Sequence, residues 1–295
     1  MNKTLNSLRL LVIPGVIFIL VSLKADKPAY KIFTSKGHES NYDDLLHDAK
    51  KADIVFFGEQ HNDPICHWLE YELACDLYRE TCKNLIIGAE MFETDNQLLL
   101  DEYLRGNIQE KNFEAEAKLW PNYKTDYKPL LTLARDSGII FVATNIPRRY
   151  ATLVNNKGFE GLQNLDPQAK ALIAPLPVIY DPELPGYKKI LESMGDDAKE
   201  HASDNIPKAQ AIKDATMAWS ILSHYQKGKV FLHFNGSYHS DNYEGIVWYL
   251  KQANPNLKIM TISSEEQADL SKLPEKSEGI ADYILVVPES MTKTR

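Results

Sequence analysis

Cysteine is scarce in this chain, with three among 295 residues. Cys66, Cys75 and Cys82 all fall within one predicted helix. At a rise of 1.5 Å per residue they lie roughly 13 and 10 Å apart. That is beyond disulfide reach, and the odd number leaves at least one thiol free. The simplest reading is buried apolar thiols. Positive charge is also in short supply, with 33 Lys and Arg against 41 Asp and Glu. A basic footprint for nucleic acid is therefore lacking, as is one for anionic lipid. The chain has no low-complexity tract, and no internal repeat beyond one short motif that occurs twice.

Long apolar runs are likewise missing, except at the start. Lys3 and Arg9 precede Leu10–Leu23, interrupted only by Ser22 among polar residues. The run is too short to span a bilayer comfortably, and Pro14-Gly15 would disturb it as a helix. Leu23-Lys24-Ala25 suits a signal peptidase. Residues 1–25 read as a secretory signal, with an uncleaved anchor as the alternative and the only expected membrane contact. Its removal leaves 30 Lys and Arg against 41 Asp and Glu, a net charge of −11. The expected location is outside the cytoplasm, periplasmic or membrane-associated. Residues 26–295 are long enough for one large domain, and the 44% hydrophobic and 25% charged content of the whole chain is that of a globular protein.

Apolar runs bounded by turn residues alternate with helical periodicity. Strands are expected at Lys31–Thr34, Asp53–Phe57, Leu85–Ala89, Ile139–Ala143, Val230–Phe234, Leu257–Ile262 and, at a sheet edge, Tyr283–Val287. Helices are expected at Tyr42–Ala49, Ile65–Tyr78, Asn96–Leu104, Phe113–Leu119, Pro129–Arg135, Lys208–Tyr225 and Tyr243–Gln252. This alternation predicts an α/β fold, a mainly parallel sheet with helices on both faces. Residues 156–204 are punctuated by Gly and Pro and read as a helical and loop lid.

The informative residues lie at strand ends. Asp53–Phe57 runs into Gly58-Glu59-Gln60-His61, and Val230–Phe234 runs into Asn235-Gly236-Ser237-Tyr238-His239. Both carry Gly-x-x-His. Leu85–Ala89 delivers Glu90, and Ile139–Ala143 delivers Asn145. Ligands of parallel α/β sheets bind outside the carboxyl ends of the strands, so His61, Glu90, Asn145 and His239 are expected at one edge. Each glycine would let the chain leave its strand sharply, by positive φ or close approach. Two imidazoles and a carboxylate, His61, His239 and Glu90, form a common shell for a divalent ion. Such an ion can activate water for hydrolysis of a peptide or small-molecule substrate. Glu59 would be a further ligand, a supporting partner or a general base, and Asn145 would orient substrate. The bland alternative is a binding module whose strand-end polar groups satisfy one another.

A second set combines Trp120, Tyr123, Tyr127, Lys124 and Lys128 with Tyr180, Tyr187 and Arg148-Arg149. Aromatics beside cations suit a flat, apolar, anionic ligand, and equally a helix contact with solvated charges.

Together these residues resemble the ChaN-like haem-binding uptake family of the Tiki/TraB group. The resemblance spans roughly Ile54 to Ile262. Its carriers are Gly58–His61, Ala89–Phe92 with Gln97, Trp120–Pro129, Asn145–Arg148, Gln210–Met217 with Asp214, and Gly236–His239. It implies an exported α/β protein of haem or iron acquisition, with haem between two subunits and a tyrosine on the iron. Tyr123 and Tyr187 are the candidates for that ligand, and Arg148 for the propionates; a homodimer follows if haem bridges subunits. Cys-x-x-Cys-His is missing, which excludes covalent haem attachment. The wider group includes metal-dependent proteases and esterases, whose centre would fall on His61, Glu90 and His239. One departure is that the signal lacks the lipid-accepting Cys of a lipoprotein.

Overall fold

A computed structural model describes residues 27–193 and 204–294. The expected signal and residues 194–203 of the expected lid lie outside this range. The strands are β1 Lys31–Thr34, β2 Glu39–Ser40, β3 Ile54–Glu59, β4 Leu85–Glu93, β5 Ile140–Asn145, β6 Val230–Gly236, β7 Ile259–Gln267 and β8 Tyr283–Pro288. Between β2 and β5 come the helices α1 Tyr42–Ala49, α2 Pro64–Glu80, α3 Gln97–Leu104, α4 Glu110–Glu116 and α5 Lys128–Ser137. After β5 follow α6 Arg148–Lys157, α7 Pro167–Lys170, α8 Pro185–Ser193, α9 Ile206–His224 and α10 Ile246–Ala253. Among the described residues no helix is long and apolar enough to cross a membrane.

All eight strands form one sheet in the order β2-β1-β8-β7-β3-β6-β4-β5. The six strands from β8 to β5 are parallel, and β1 pairs antiparallel with both β8 and β2. The expected α/β class is therefore observed. One placement differs: β8 is an interior strand, not an edge. Ile284, Leu285, Val286 and Val287 are all buried, and β1 supplies the second ladder that so apolar a strand requires. The true edge at β5 is closed by Gln97. Its amide donates to the Phe141 carbonyl at 3.0 Å and accepts from the Ala143 N–H at 2.6 Å.

Side chains alternate along the strands, so each face has its own core. Val55, Phe57, Ile87, Leu232 and Phe234 pack with Leu69 and Leu73 of α2 and Leu130 of α5. Ile54, Phe56, Ile86, Val142 and Phe231 pack with Met217 and Ile221 of α9 and Ile246 and Leu250 of α10. Part of the expected lid is itself anchored, with Leu162, Ile173 and Ala174 buried against Ile212 and Ala215 of α9. Helix α2 begins at Pro64, capped by Asp63, whose carboxylate accepts from the Ile65 and Cys66 N–H groups. It ends at Glu80, so Cys82 lies outside it, exposed and at φ 53° in the turn to β4. The expectation of three buried helical thiols thus holds only for Cys66, with Cys75 half-buried.

Candidate functional site

The strand order decides which ends meet. Strand β6 enters between β3 and β4, so the carboxyl ends of these three neighbours carry Glu59, the 236–239 turn and Glu90. Strand β3 runs through Gly58 to the buried Glu59, and the chain then turns out to His61, whose side chain is 49% exposed. The His61 Nδ1 lies 2.8 Å from Glu59 Oε1, which also accepts from the Tyr127 hydroxyl. Strand β4 continues past its expected end to Glu93, with a register irregularity between Ala89 and Glu93. Glu90 sits in that irregular stretch, and its Oε2 accepts from the Gly236 N–H at 2.9 Å. A short 3₁₀ turn, Ser237–His239, brings His239 back over the edge.

The structure brings His61, Glu90 and His239 together around Gly236. A Cβ there would lie 2.9 Å from His61 Nε2 and 3.7 Å from Glu90 Oε2. His239 Nε2 is 3.3 Å from Glu90 Oε1 and 3.0 Å from Gln210 Nε2. Its Nδ1 donates to Asp214 Oδ1 at 2.5 Å, and the Tyr187 hydroxyl donates to Asp214 Oδ2 at 2.8 Å. Gly58 and Gly236 do not have positive φ. Both are required for close approach instead: a Cβ on Gly58 would lie 2.8 Å from Ser237 Cα and 2.9 Å from the Ile262 carbonyl oxygen.

Charge at this corner is balanced by protons. Burial disfavours a charged His239, but Glu90 and Asp214 outweigh it and lift the imidazole to about 10. Burial likewise opposes the Glu90 carboxylate, yet His239, His61 and the Gly236 N–H hold it far below the ordinary carboxylate range. For His61, burial is outweighed by the bond to Glu59, and its pKa is raised. His239 thus stands between two carboxylates, Asp214 at its Nδ1 and Glu90 at its Nε2, and both favour a proton on the ring.

The other expected residues are placed differently. Asn145 ends β5 opposite Glu93, half-buried, with no hydrogen-bond partner for its Oδ1. Tyr123 lies in the core against Phe113, with its hydroxyl buried and unpaired. Tyr187 lies on α8, buried and bonded to Asp214. Burial pushes both phenols well above their ordinary value. Arg148 is exposed at the start of α6. Sequence reasoning missed His67, Glu70 and Asp126, and it placed Tyr127 among the ligand-facing aromatics, whereas its hydroxyl donates to Glu59. His67 and Glu70 are one turn apart on the inward face of α2, both buried. Two polar residues on an otherwise apolar helical face were the available signal.

Beside His61 opens a groove of about 660 Å³, lined by Glu93, Lys118, Leu119, Trp120, Arg148, Arg149 and Thr152. Trp120 stands edge-on to His61, with ring centroids 4.8 Å apart. Lys118 pairs with Glu93 at 3.0 Å and Asp95 at 3.1 Å, and Arg149 also pairs with Asp95. Among the described residues Arg148 has no carboxylate partner. An apolar wall with cations at its rim can receive a flat ring bearing carboxylates.

Comparison with known proteins follows the same lines. Residues 45–250 match the family model described as haem-binding uptake, Tiki superfamily, ChaN. The fold is similar to that of ChaN of Campylobacter jejuni, a structure described as cofacial heme binding. The TM-score is 0.65 at 21% identity, covering 88% of this chain and 96% of that one. A succinoglycan biosynthesis protein is similar at a TM-score of 0.51 and 12% identity, covering 90% of this chain and 96% of that one. At these identities the likeness is one of fold. Protein RETICULATA-RELATED 5, chloroplastic, of Arabidopsis thaliana is 28% identical over 117 residues. That match covers 38% of this chain and spans only 16% of that relative's length.

Proposed function

The chain belongs to the ChaN family of haem-binding uptake proteins in the Tiki superfamily, and from that premise we propose that it binds haem in the Trp120 groove. The observation that carries this reading is the groove itself, with Leu119 and Trp120 as apolar wall and, at the rim, Arg148 without a carboxylate partner among the described residues. Arg148 and Lys118 would receive the propionates, since a guanidinium pairs bidentately with carboxylate. Haem supplies an iron with axial positions open to a protein ligand. Of the four imidazoles near the strand ends, His61, His67, His233 and His239, only His61 is exposed. It borders Trp120, and Glu59 holds its Nδ1; Nε2, which lies beside Gly236, would reach the iron once the ring swings toward the groove. Tyr123 and Tyr187 are interior, which favours His61 over either as the ligand from this chain.

A role in uptake would require export, and we propose that residues 1–25 direct it; intact-mass measurement of the exported protein reads the cleavage directly. The ligand assignment is tested by haemin spectra of wild type, His61→Ala and Tyr123→Phe. A histidine-type spectrum lost only in His61→Ala is expected. A phenolate-type spectrum, or one unchanged in His61→Ala, refutes the ligand while leaving the groove to be tested separately.

A further inference from the structure

Behind the strand-end corner lies a second cluster that shares only Glu59 with the haem reading. Glu59, His67 and Glu70 are buried, and each offers a ligand atom within 4.8 Å of the others. The ring orientation of His67 is fixed. Its Nε2 is 3.1 Å from the carbonyl oxygen of His61, and a carbonyl can only accept, so Nε2 carries the proton. In the neutral ring Nδ1 then presents a lone pair, 2.8 Å from Glu70 Oε2 and 3.9 Å from Glu59 Oε2. Two acceptors at 2.8 Å require a positive species between them. Two further buried oxygens, Glu59 Oε2 and Glu70 Oε1, have no hydrogen-bond partner. A proton between His67 and Glu70 answers one contact, and a second proton, shared between the adjoining Glu70 and Glu59 carboxyls, answers the two oxygens. One cation in their place answers all three.

We propose that Glu59, His67 and Glu70 form a binding site for a divalent transition-metal ion, separate from the His61–Glu90–His239 corner. One imidazole and two carboxylates are a donor set used for such ions. A metal-ligating His characteristically donates its other ring N–H to a carbonyl or carboxylate, and His67 has the His61 carbonyl, with Asp126 Oδ2 at 3.5 Å. The remaining Glu59 oxygen is tied down by Tyr127 and His61, which orients Oε2 toward the cluster. Zinc–ligand distances of about 2.0–2.2 Å require the set to close by roughly half an ångström.

The test loads haem-free, full-length protein with Zn²⁺, removes the excess by dialysis and counts metal per chain. One ion is expected in the wild type and in Glu90→Gln, and less than a tenth of an ion in Glu70→Gln. X-ray absorption of the zinc-loaded wild type supplies a readout that needs no variant. This site predicts one imidazole and oxygen donors, whereas the strand-end corner would give two imidazoles. No retained ion in the wild type, two imidazoles on the metal, or full retention in a folded Glu70→Gln overturns the proposal.

Discussion

Replacing Gly58 or Gly236 with alanine adds the same methyl group at equivalent positions of the two Gly-x-x-His motifs, yet the consequences should differ. At Gly58 the Cβ would stand 2.8 Å from Ser237 Cα and 2.9 Å from the Ile262 carbonyl oxygen. Optimal contacts between such atoms lie near 3.5–4.0 Å, and both neighbours are backbone. Strands β3 and β7 pair through Phe57 and Ile262, so relief requires moving the ladder. Overpacking of this kind costs about 1–3 kcal/mol or more. At Gly236 the neighbours are His61 Cε1 and Nε2, at 2.8 and 2.9 Å, and that ring is half exposed. It can swing outward, giving up its bond to Glu59, which costs about 1 kcal/mol. Alanine recovers about 0.4–1 kcal/mol by restricting the unfolded chain. The alanine gain is common to both variants, so from about 2 kcal/mol at mid-range against about 1, Gly58→Ala should lose about 1 kcal/mol more than Gly236→Ala in urea melts. Gly236→Ala should instead return the raised His61 pKa toward its ordinary value, followed by NMR titration. Equal melting of the two variants, or an unchanged His61 titration in Gly236→Ala, refutes the reasoning.

Two further predictions concern buried polar groups. His233 is buried, and burial depresses its pKa to about 4, so between about 4 and the ordinary 6.5 the unfolded chain binds a proton that the folded one refuses. Its stabilising effect is complete above pH 6.5 and is lost as pH falls toward 4, an effect of about 3 kcal/mol. His233→Gln should flatten the fall in stability between pH 7 and 4.5, and an unchanged slope would count against this account. Asp214→Asn removes the carboxylate from His239 Nδ1 and the Tyr187 hydroxyl. Breaking a buried charge pair typically costs about 3–5 kcal/mol, and a loss under about 1 kcal/mol in denaturant melts would show that the pair is not coupled as described.

How much of this was legible in the sequence varies with the range of the interaction. Strand ends with Gly-x-x-His declared themselves, because an apolar run followed by glycine and a polar residue is a local pattern. That His61, Glu90 and His239 converge depends on β6 entering between β3 and β4, which no local pattern encodes; parallel-sheet logic reached the shared edge but not the neighbours. Glu90 was expected just past its strand and lies within it, because β4 continues through an irregular register to Glu93. The interior position of β8 was missed because its second partner, β1, is over 240 residues away in sequence. His67 and Glu70 were hidden inside an amphipathic pattern, since helical periodicity reports which face is buried and not what a polar residue on it meets. Tyr123 and Tyr187 are candidates only because the family resemblance implies a tyrosine on the iron, and burial in both cases follows from long-range packing.

The central claim is that the Trp120 groove binds haem through cations at its rim. The most direct measurement is an absorbance titration of haemin into purified wild type and Arg148→Glu, with albumin and buffer controls. A saturable Soret change of defined stoichiometry is expected in the wild type, weakened about tenfold, or 1.4 kcal/mol, by charge reversal at Arg148. Unsaturable binding by the wild type, or equal affinity in both proteins, would contradict it.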